Sequence, residues 1–291
     1  MRRNLLLGLV LSFVGGLTLA SCGEKPTEGE QLPQLIVGLE CNYAPFNWTE
    51  NSATDSNVVI SGTKTYAEGY DVQIAKQIAE ELDMELVIKK IEWDGLISSC
   101  KEETIDLIIA GMSPTEERKI EIDFTNPYYT SEHVLLVEKD GQFANVTSID
   151  ELSGARISGQ IGTLYDDIAH AIPGVVKGND RETVPEIVTD LQNGVIDGTV
   201  LELPVAQGLE AQYPNLKMIQ FEEGKGFKQL EEVDEEGNVT YRDIVDTDRD
   251  VSIGIAKNRE ELKTSINEIL DSIDTDTRAQ IMQGATSRQR A

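Results

Sequence analysis

The stretch from Ile105 to Arg118, with the sequence IDLIIAGMSPTEER, constrains the fold of this chain more than any other. Its first half is a nearly unbroken apolar run, which is typical of a fully buried strand. Gly111 then allows a turn before a helix. We predict Ser113 as the N-cap of that helix, Pro114 at its first position and Glu116 as the residue that completes a capping box. A strand end beside a helix start directs unpaired backbone N–H groups at one point.

Arg118 is unusual at this place in the chain. A cation in the first turn of a helix opposes the helix dipole, whereas an anion near the N-terminus is stabilised by it. Arg118 beside unpaired backbone N–H groups therefore indicates a site for an anion such as a carboxylate. The alternative is a surface helix in which Arg118 pairs with Glu117 or Glu121.

The overall charge excludes two classes of partner. The 291 residues are enough for one large domain or two lobes. They include 52 acidic and 25 basic residues, for a formal net charge of -27. Nucleic acid and anionic membrane surfaces are therefore excluded as electrostatic partners.

The N-terminus has the pattern of an export signal. An apolar stretch, Leu5–Ala20, follows basic residues and is short for a stable transmembrane span. Leu19–Cys22 resembles the lipobox of bacterial lipoproteins, which implies removal of residues 1–21 and a lipid on Cys22. The alternative is a plain secreted protein in which Cys22 has no role. We expect residues 22–34 to form a flexible tether.

The other cysteines and the two histidines do not indicate a metal site. Cys41 and Cys100 could form a disulfide in an exported protein, and the sequence leaves this open. Neither cysteine has the spacing of zinc ligands, and His133 and His170 lie far away in the sequence. We therefore expect neither a metal nor a cofactor.

Strands alternate with helices along the first part of the mature chain. Leu35–Leu39 and Met84–Ile91 are predicted strands, and the helix between them begins at Asp71, a good N-cap. A further helix opens at Trp93. This short alternation predicts right-handed βαβ units and a largely parallel sheet. The polar segment 51–65 is predicted to be a surface excursion.

The same pattern recurs in the second half. The predicted elements are strands Ala155–Gly159, Val175–Val176 and Ile196–Leu201, helix Leu164–Ala171, and helices starting at the Thr183–Glu186 capping box and at Pro204. Ligands of open α/β sheets bind at the carboxyl ends of strands. Two such lobes facing each other therefore predict a ligand cleft.

The chain is predicted to return to its first lobe. The acidic segment 222–250 is predicted to be a surface hairpin or loop insertion. The last predicted elements are a strand at Val251–Ala256, a helix at Glu260–Ile273 and a short helix near Thr277–Met282. We therefore expect a two-lobed α/β fold joined by two hinge crossings, with residues 35–129 and 251–291 in lobe 1 and residues 130–250 in lobe 2.

The predicted strand ends bring together polar and aromatic residues. The candidate ligand-binding residues are Glu40, Tyr43, Trp93, Gly111, Met112, Ser113, Thr115 and Arg118 in lobe 1, and Gln160, Thr163 and Glu202 in lobe 2. One arginine and one or two carboxylates beside aromatic rings suit a zwitterion. Alternatively, Tyr43 and Trp93 are core aromatics, and Glu202 is an exposed residue beside a helix start.

Four motifs carry a resemblance to a known family. They are Glu68–Val72, Gly111–Arg118, Gln160–Thr163 and Asp197–Pro204. They resemble the polar amino-acid-binding lipoproteins of bacterial ABC importers, the family 3 solute-binding proteins. The resemblance runs from about Leu35 to the C-terminus. It implies a type II periplasmic-binding-protein fold, in which each lobe has a mixed, mostly parallel sheet flanked by helices and the lobes close on an amino acid.

The resemblance also implies roles for the candidate residues. The α-carboxylate would be held by Arg118 and by the backbone N–H groups of Thr115 and Thr163. The α-ammonium would meet Glu202, the Ser113 hydroxyl and the Gly111 carbonyl oxygen. Many relatives have Asp where this chain has Glu202.

The side chain of the ligand would lie between Tyr43 and Trp93, with Glu40 at its far end. A desolvated carboxylate there favours a cationic side chain. We therefore expect arginine, lysine or histidine as the first choice and glutamine as the second.

Three classes of function are compatible with such a cleft. The first is a binding protein that delivers a free amino acid to the transmembrane subunits of an ABC permease. The second is a dehydratase-type enzyme on the same fold, and the third is the ligand-sensing domain of a receptor. We favour the binding protein with no catalytic residues, because neither histidine lies at a predicted strand end. We expect an extracytoplasmic monomer that contacts the membrane only through its lipid.

Overall fold

The computed structural model describes residues 32–233 and 239–289. Its strands are β1 Gln34–Leu39, β2 Asn42–Tyr43, β3 Asn47–Glu50, β4 Val58–Val59, β5 Tyr66–Glu68, β6 Glu85–Lys90, β7 Leu107–Ile108, β8 Asp123–Thr130, β9 His133–Glu138, β10 Arg156–Ser158, β11 Val176–Lys177, β12 Gly198–Glu202, β13 Leu216–Ile219, β14 Lys228–Val233, β15 Val239–Asp243 and β16 Asp250–Ile255. Its α-helices are α1 Tyr70–Glu81, α2 Leu96–Lys101, α3 Glu116–Glu121, α4 Leu164–His170, α5 Val184–Gln192, α6 Leu203–Gln212, α7 Glu260–Ser272 and α8 Thr275–Arg288.

Two five-stranded sheets have the same layout. The first has the order β6-β1-β7-β16-β8, and the second has the order β11-β10-β12-β9-β13. In each, the first three strands are parallel and the fourth is antiparallel to its neighbours on both sides. We call the parts of the chain around these sheets the first and second lobes. The predicted duplication of an α/β unit is therefore present.

The first sheet forms because its central strands are apolar on both faces. Leu35, Val37 and Leu39 in β1 and Leu107 and Ile108 in β7 are fully buried. A strand buried on both faces is typical of a parallel sheet that helices cover. The carboxyl ends of these strands lead into the loops that begin at Glu40 and Ile109.

Two crossings join the lobes side by side. The chain leaves the first sheet at Thr130 and returns to it at Asp250. The N–H group of Ser131 donates to the carbonyl oxygen of Arg249 at 2.9 Å, and the Thr130 hydroxyl donates to the Asp250 carboxylate at 2.8 Å. This pair of adjacent crossings is the geometry of a hinge.

Two predicted helix starts are wrong. The N-cap of α1 is Gly69, at φ 133°. Glycine is required there because a Cβ atom would lie 2.2 Å from the carbonyl oxygen of Phe46. Asp71 lies inside the helix and is fully buried. The N-cap of α3 is Thr115 instead of Ser113, and its hydroxyl accepts from the N–H group of Arg118 at 3.3 Å.

Other segments were predicted in part. The segment 51–65 is not wholly irregular, because it contributes β4 to a four-stranded sheet of order β2-β3-β5-β4. The acidic segment 222–250 contains the predicted hairpin, formed by antiparallel β14 and β15. Cys41 and Cys100 are buried free thiols, so the possible disulfide between them is not formed.

The N-terminal predictions cannot be compared with the structure. The signal peptide, Cys22 and the tether up to residue 31 lie outside the described residues, and β1 begins at Gln34, the last residue of the predicted tether. Within the described residues, no helix has the length and apolar character needed to cross a membrane.

Candidate ligand site between the two lobes

A narrow cavity lies where the strand ends of both lobes meet. The residues that line it are Glu40, Tyr43, Trp93, Gly111, Ser113, Arg118, Gln160, Thr163, Leu164, Tyr165, Val184 and Leu201. Its free volume is about 20 Å³, which is room for about one water molecule. A larger groove of about 940 Å³ adjoins it and shares four lining residues, Ser113, Arg118, Thr163 and Leu164. An amino acid therefore requires the two lobes to move apart.

Arg118 is a buried cation whose hydrogen-bond partners are carbonyl oxygens. Its Nη1 donates to the Ser113 carbonyl at 2.8 Å, and its Nη2 donates to the Gly162 carbonyl of the second lobe at 3.0 Å. The guanidinium carbon lies 5.1 Å from the centre of the Trp93 ring. Burial lowers the pKa of Arg118 to about 10. An anion between the lobes would restore the lost solvation of this charge.

The structure disfavours the surface-helix alternative for Arg118. Glu121 pairs with Lys101 at the surface, and Arg118 forms no ion pair among the residues that the structure describes. Arg118 is only 8% exposed. Its position matches an arginine that holds an anion in a cleft.

Glu40 is a buried carboxylate that the second lobe contacts. It is 2% exposed, and the side-chain amide of Gln160 donates to its Oε2 at 2.9 Å. Burial raises the pKa of Glu40 to about 7, and the hydrogen bond from Gln160 opposes that rise. The charge state of Glu40 therefore changes near neutral pH.

Glu202 ends β12 and is fully buried, so the predicted alternative of an exposed residue is wrong. Among the residues that the structure describes, neither of its carboxylate oxygens has a hydrogen-bond partner. Burial raises the pKa of Glu202 well above its ordinary value, and the charge of Glu40 adds to the effect. A buried carboxylate without a partner costs free energy, so this position favours a cationic group brought by a ligand.

His133 corrects one argument from the sequence. It begins β9 and is paired with Glu202 across the ladder, so a histidine does lie at a strand end. Cross-strand partners share one face of a sheet, and the ring of His133 packs edge-on against Tyr165 at 5.3 Å. Burial lowers the pKa of His133 to about 4, so the ring is neutral at physiological pH. β9 was missed because it follows the lobe crossing without a turn signal.

The aromatic residues combine packing with access to the cavity. Tyr43 stacks on Phe46 with a centroid distance of 5.6 Å and lines the cavity as well, so it is both a core and a site residue. Trp93 donates from its indole nitrogen to the Gly162 carbonyl at 3.0 Å. Gly111 adopts φ 64° beside the Tyr43 ring, where a Cβ atom would lie 3.2 Å from a ring carbon. Glycine therefore allows the ring to approach the backbone.

Three predicted residues are not among those that line the narrow cavity, and one of them is Glu202, which follows the lining residue Leu201. Thr115 lines the larger groove, and Met112 is buried with its carbonyl oxygen accepting from the N–H group of Ser252 at 3.0 Å. Thr163 lines the cavity as the N-cap of α4, and its hydroxyl accepts from the N–H group of Tyr165 at 3.2 Å.

The apolar wall of the cavity was not predicted. It consists of Leu164, Tyr165, Val184 and Leu201. Three of them are next to a residue that the sequence did single out: Leu164 follows Thr163, Val184 follows Thr183 and Leu201 precedes Glu202. The only signal that could have found them is adjacency to a predicted strand end or helix cap.

One group of side chains away from the cavity has distances compatible with a metal ion. Within the described residues, donor atoms of Asp166, His170 and Asp180 lie within 4.8 Å of one another. His170 also lies 3.3 Å from Asp166, and Lys177 pairs with Asp180 at 2.8 Å. Lys177 therefore offsets part of the negative charge of this group.

Comparison with known proteins agrees with this geometry. The model of the bacterial extracellular solute-binding proteins, family 3, matches residues 35–284. The arginine-binding extracellular protein ArtP of Bacillus subtilis is 28% identical over 211 residues, which cover 72% of this chain and 76% of that protein. A probable histidine-binding protein of Campylobacter jejuni is 30% identical over 220 residues, which cover 74% of this chain and 79% of that protein.

A solved structure extends the comparison to the fold. The substrate-binding protein of an amino acid ABC transporter superposes with a TM-score of 0.67 at 27% identity, covering 88% of this chain and 100% of that chain. The expected type II two-lobed α/β fold and the resemblance to polar amino-acid-binding proteins are both confirmed. The chain belongs to the bacterial extracellular solute-binding proteins, family 3.

Proposed function

We propose that this protein captures a cationic amino acid between its lobes and delivers it to the transmembrane subunits of an ABC importer. One observation carries the proposal: Arg118 and Glu40 are buried charges that line one cavity, and a third buried charge, Glu202, follows the lining residue Leu201 and is close enough to Glu40 for their charges to interact. When both glutamates are ionised, these groups sum to one negative charge. Arginine or lysine, with two positive groups and one negative group, complements that sum. A neutral zwitterion would leave one buried carboxylate uncompensated.

Each end of the ligand has a partner. Arg118 would exchange the Gly162 carbonyl for the α-carboxylate, which accepts two parallel hydrogen bonds from a guanidinium. Glu202, which has no hydrogen-bond partner among the described residues, would receive the α-ammonium. Glu40 would receive the charged end of the side chain, and Tyr43 and Trp93 would flank it. ArtP and the Campylobacter protein are named for arginine and for histidine, which supports a cationic ligand.

The cellular setting is part of the same proposal. The protein would be an extracytoplasmic monomer held to the membrane by a lipid on Cys22, with lobes at 35–129 plus 251–291 and at 130–250. Replacing Cys22 with alanine should release the protein into the medium. Retention of that variant on the membrane would contradict the lipid anchor.

A dehydratase-type activity is the second candidate, because a buried glutamate with a raised pKa could act as a general acid. The relatives and the solved structure reported above are named as binding proteins, which supports binding without turnover. Prolonged incubation with arginine and with a prephenate-like acid, followed by NMR of the small molecules, separates the two. Unchanged compounds support the binder, and conversion of either one supports the enzyme.

A ligand screen tests the proposal directly. The described residues from Pro33 onward belong to one compact unit, so the chain from residue 23 onward is suitable for thermal-shift measurements with each of the twenty amino acids. A ligand at 100 times its Kd stabilises the folded state by about 2.7 kcal/mol. We expect the largest shift with arginine, lysine or histidine and a smaller shift with glutamine. A preference for glutamate, leucine or cystine would contradict the proposal.

A further inference from the structure

Gln160 connects the two lobes at the residue that we propose to select the ligand. It follows β10 of the second sheet, whereas Glu40 follows β1 of the first. We propose that Gln160 determines the preference for a cationic over a neutral ligand side chain, because its amide donates to Glu40 across the closed cleft. This inference rests on the proposed function and adds a specificity-determining residue to it.

The amide of Gln160 is held in one orientation. Its Nε2 donates to the Glu40 carboxylate at 2.9 Å and to the Glu182 carbonyl at 2.9 Å. An NH₂ group has two donor hydrogens, so both are used. Rotation of the amide by 180° would place its oxygen against two acceptors. Gln160 therefore acts toward Glu40 only as a donor.

A donor at this point favours the ionised form of Glu40. Burial of the carboxylate favours the protonated form, and the hydrogen bond from Gln160 is the largest effect in the opposite direction. The hydrogen bond reaches Oε2, which leaves Oε1 available to a ligand. In the closed form, Glu40 can thus remain ionised and present its free oxygen, Oε1, to the ligand.

The consequence is a change in selectivity when Gln160 is removed. A protonated Glu40 is neutral and can both donate and accept, which suits the side-chain amide of glutamine. An ionised Glu40 attracts a guanidinium or ammonium and leaves an amide without charge complementarity. Loss of the Gln160 donor should therefore weaken arginine binding and leave glutamine binding nearly unchanged.

A role in lobe closure alone makes a different prediction. If the hydrogen bond merely held the lobes together, its loss would weaken arginine and glutamine by the same factor at every pH. The ratio of the two affinities and its pH dependence therefore separate selection from closure.

The test uses Gln160→Met, which keeps the length of the side chain and removes the donor. Calorimetry gives the affinities of L-arginine and L-glutamine at pH 6, 7 and 9. We expect the arginine-to-glutamine ratio to fall about tenfold at pH 7, as one hydrogen bond to a charged group is worth at least that factor. At pH 9 the ratio should recover to within about twofold of the wild-type ratio, because Glu40 is then ionised without help.

Two comparisons make the result specific. Gln192→Met makes the same change at an exposed residue of the second lobe and should leave the ratio unchanged. In a Glu40→Gln background, Gln160→Met should alter the ratio by less than about twofold, because the two residues act as one unit. If Gln160→Met does not fold, Gln160→Asn replaces it, since its shorter amide cannot span the same distance.

The outcomes separate the inference from the proposed function. A wild-type preference for cationic ligands together with an unchanged ratio in Gln160→Met overturns the inference alone. An equal loss for both ligands at all three pH values also overturns it. A wild-type protein that binds no cationic amino acid overturns the proposed function and the inference together.

Discussion

Buried charges are the residue-scale feature that distinguishes this cleft from an ordinary core. Arg118, Glu40 and Glu202 are all less than 10% exposed. Carbonyl oxygens accept hydrogen bonds from Arg118, and the Gln160 amide donates one to Glu40. Glu202 has no hydrogen-bond partner within the described part of the chain. Burying a charge costs several kcal/mol unless it is paired. The proposed ligand of complementary charge would offset this cost.

Arg118→Ala should abolish most of the binding without unfolding the protein. Truncating one partner of a desolvated charge pair costs about 2–5 kcal/mol, so affinity for arginine should fall well over tenfold. The fold should survive because both acceptors of Arg118 are backbone carbonyls that can bind water in an open cleft. Calorimetry measures the affinity, and circular dichroism checks the fold. Lys119→Ala, which removes an exposed surface pair on the same helix, is the matched control. Near-wild-type affinity in Arg118→Ala would restore the surface-helix interpretation.

Affinity for arginine should rise with pH around neutrality. Burial in the closed cleft raises the pKa of Glu40 to about 7, and a cationic ligand binds the ionised form. Below pH 7, Glu40 must lose its proton when the ligand binds, so the affinity should be about tenfold weaker at pH 6 than at pH 8. Arginine itself does not titrate in this range. Calorimetry in buffers of different ionisation enthalpy should detect proton release on binding near pH 7. Glu40→Gln should remove the change in affinity between pH 6 and pH 8. An equal change in both proteins would assign the titration to another group.

At the scale of elements, a buried network orients the loop at Gly111. The hydroxyl of Tyr128, in β8, accepts from the Gly111 N–H group at 3.0 Å and donates to Asp71, in α1, at 2.7 Å. Asn47, in β3, donates to the other oxygen of Asp71 at 2.8 Å. Three elements are thus tied to one site loop. Asp71 was predicted to be an N-cap because aspartate is a preferred residue at that position. Only the structure shows that its carboxylate points into the core.

Tyr128→Phe tests this network. The substitution keeps the ring and leaves the Gly111 N–H group and one Asp71 oxygen unpaired, which should cost about 2–4 kcal/mol of unfolding free energy. Urea denaturation measures the loss. Tyr129→Phe is the control, because Tyr129 is partly exposed and packs through its ring against Phe46. Equal stabilities for the two variants would show that the network is not required.

The elements that the sequence predicted are those with strong local signals. β1, β6, β16 and α7 were predicted close to their observed bounds, since long apolar or amphipathic runs are unambiguous. β8 was missed because Asn126 and Pro127 interrupt it, and it lies at the edge of the sheet, where proline is tolerated. The cap of α3 was misplaced by two residues because Ser113 and Thr115 both suit that position.

At the scale of the whole molecule, topology explains why the polar part of the site was predictable. Parallel strands place their carboxyl ends on one edge, so polar residues after β1, β7, β10 and β12 could be assigned to one cleft from the sequence. The apolar wall could not be assigned, because Tyr165, Val184 and Leu201 have the same sequence signature as core residues. The contact between Glu40 and Gln160 could not be predicted either, since it depends on the distance between the lobes.

Closure of the lobes is a property of the whole molecule. Contacts across the closed cleft compete with the ligand for the same hydrogen-bond donor. The Gly162 carbonyl accepts from both Arg118 and Trp93 at 3.0 Å, and therefore occupies the Arg118 donor that a ligand carboxylate would use. Since the cavity admits about one water molecule, the ligand must enter an opened form and replace this carbonyl.

Small-angle scattering should consequently show a wider average form without arginine and compaction with it. Trp93→Phe keeps the ring and removes one donor to Gly162, so its free form should be open more often and its arginine association faster in stopped-flow measurements. Val176→Ala, at an exposed residue of the second lobe, provides a control with no contact at the cleft. A radius of gyration that arginine does not change would contradict closure, and an unchanged association rate in Trp93→Phe would show that the carbonyl does not compete with the ligand.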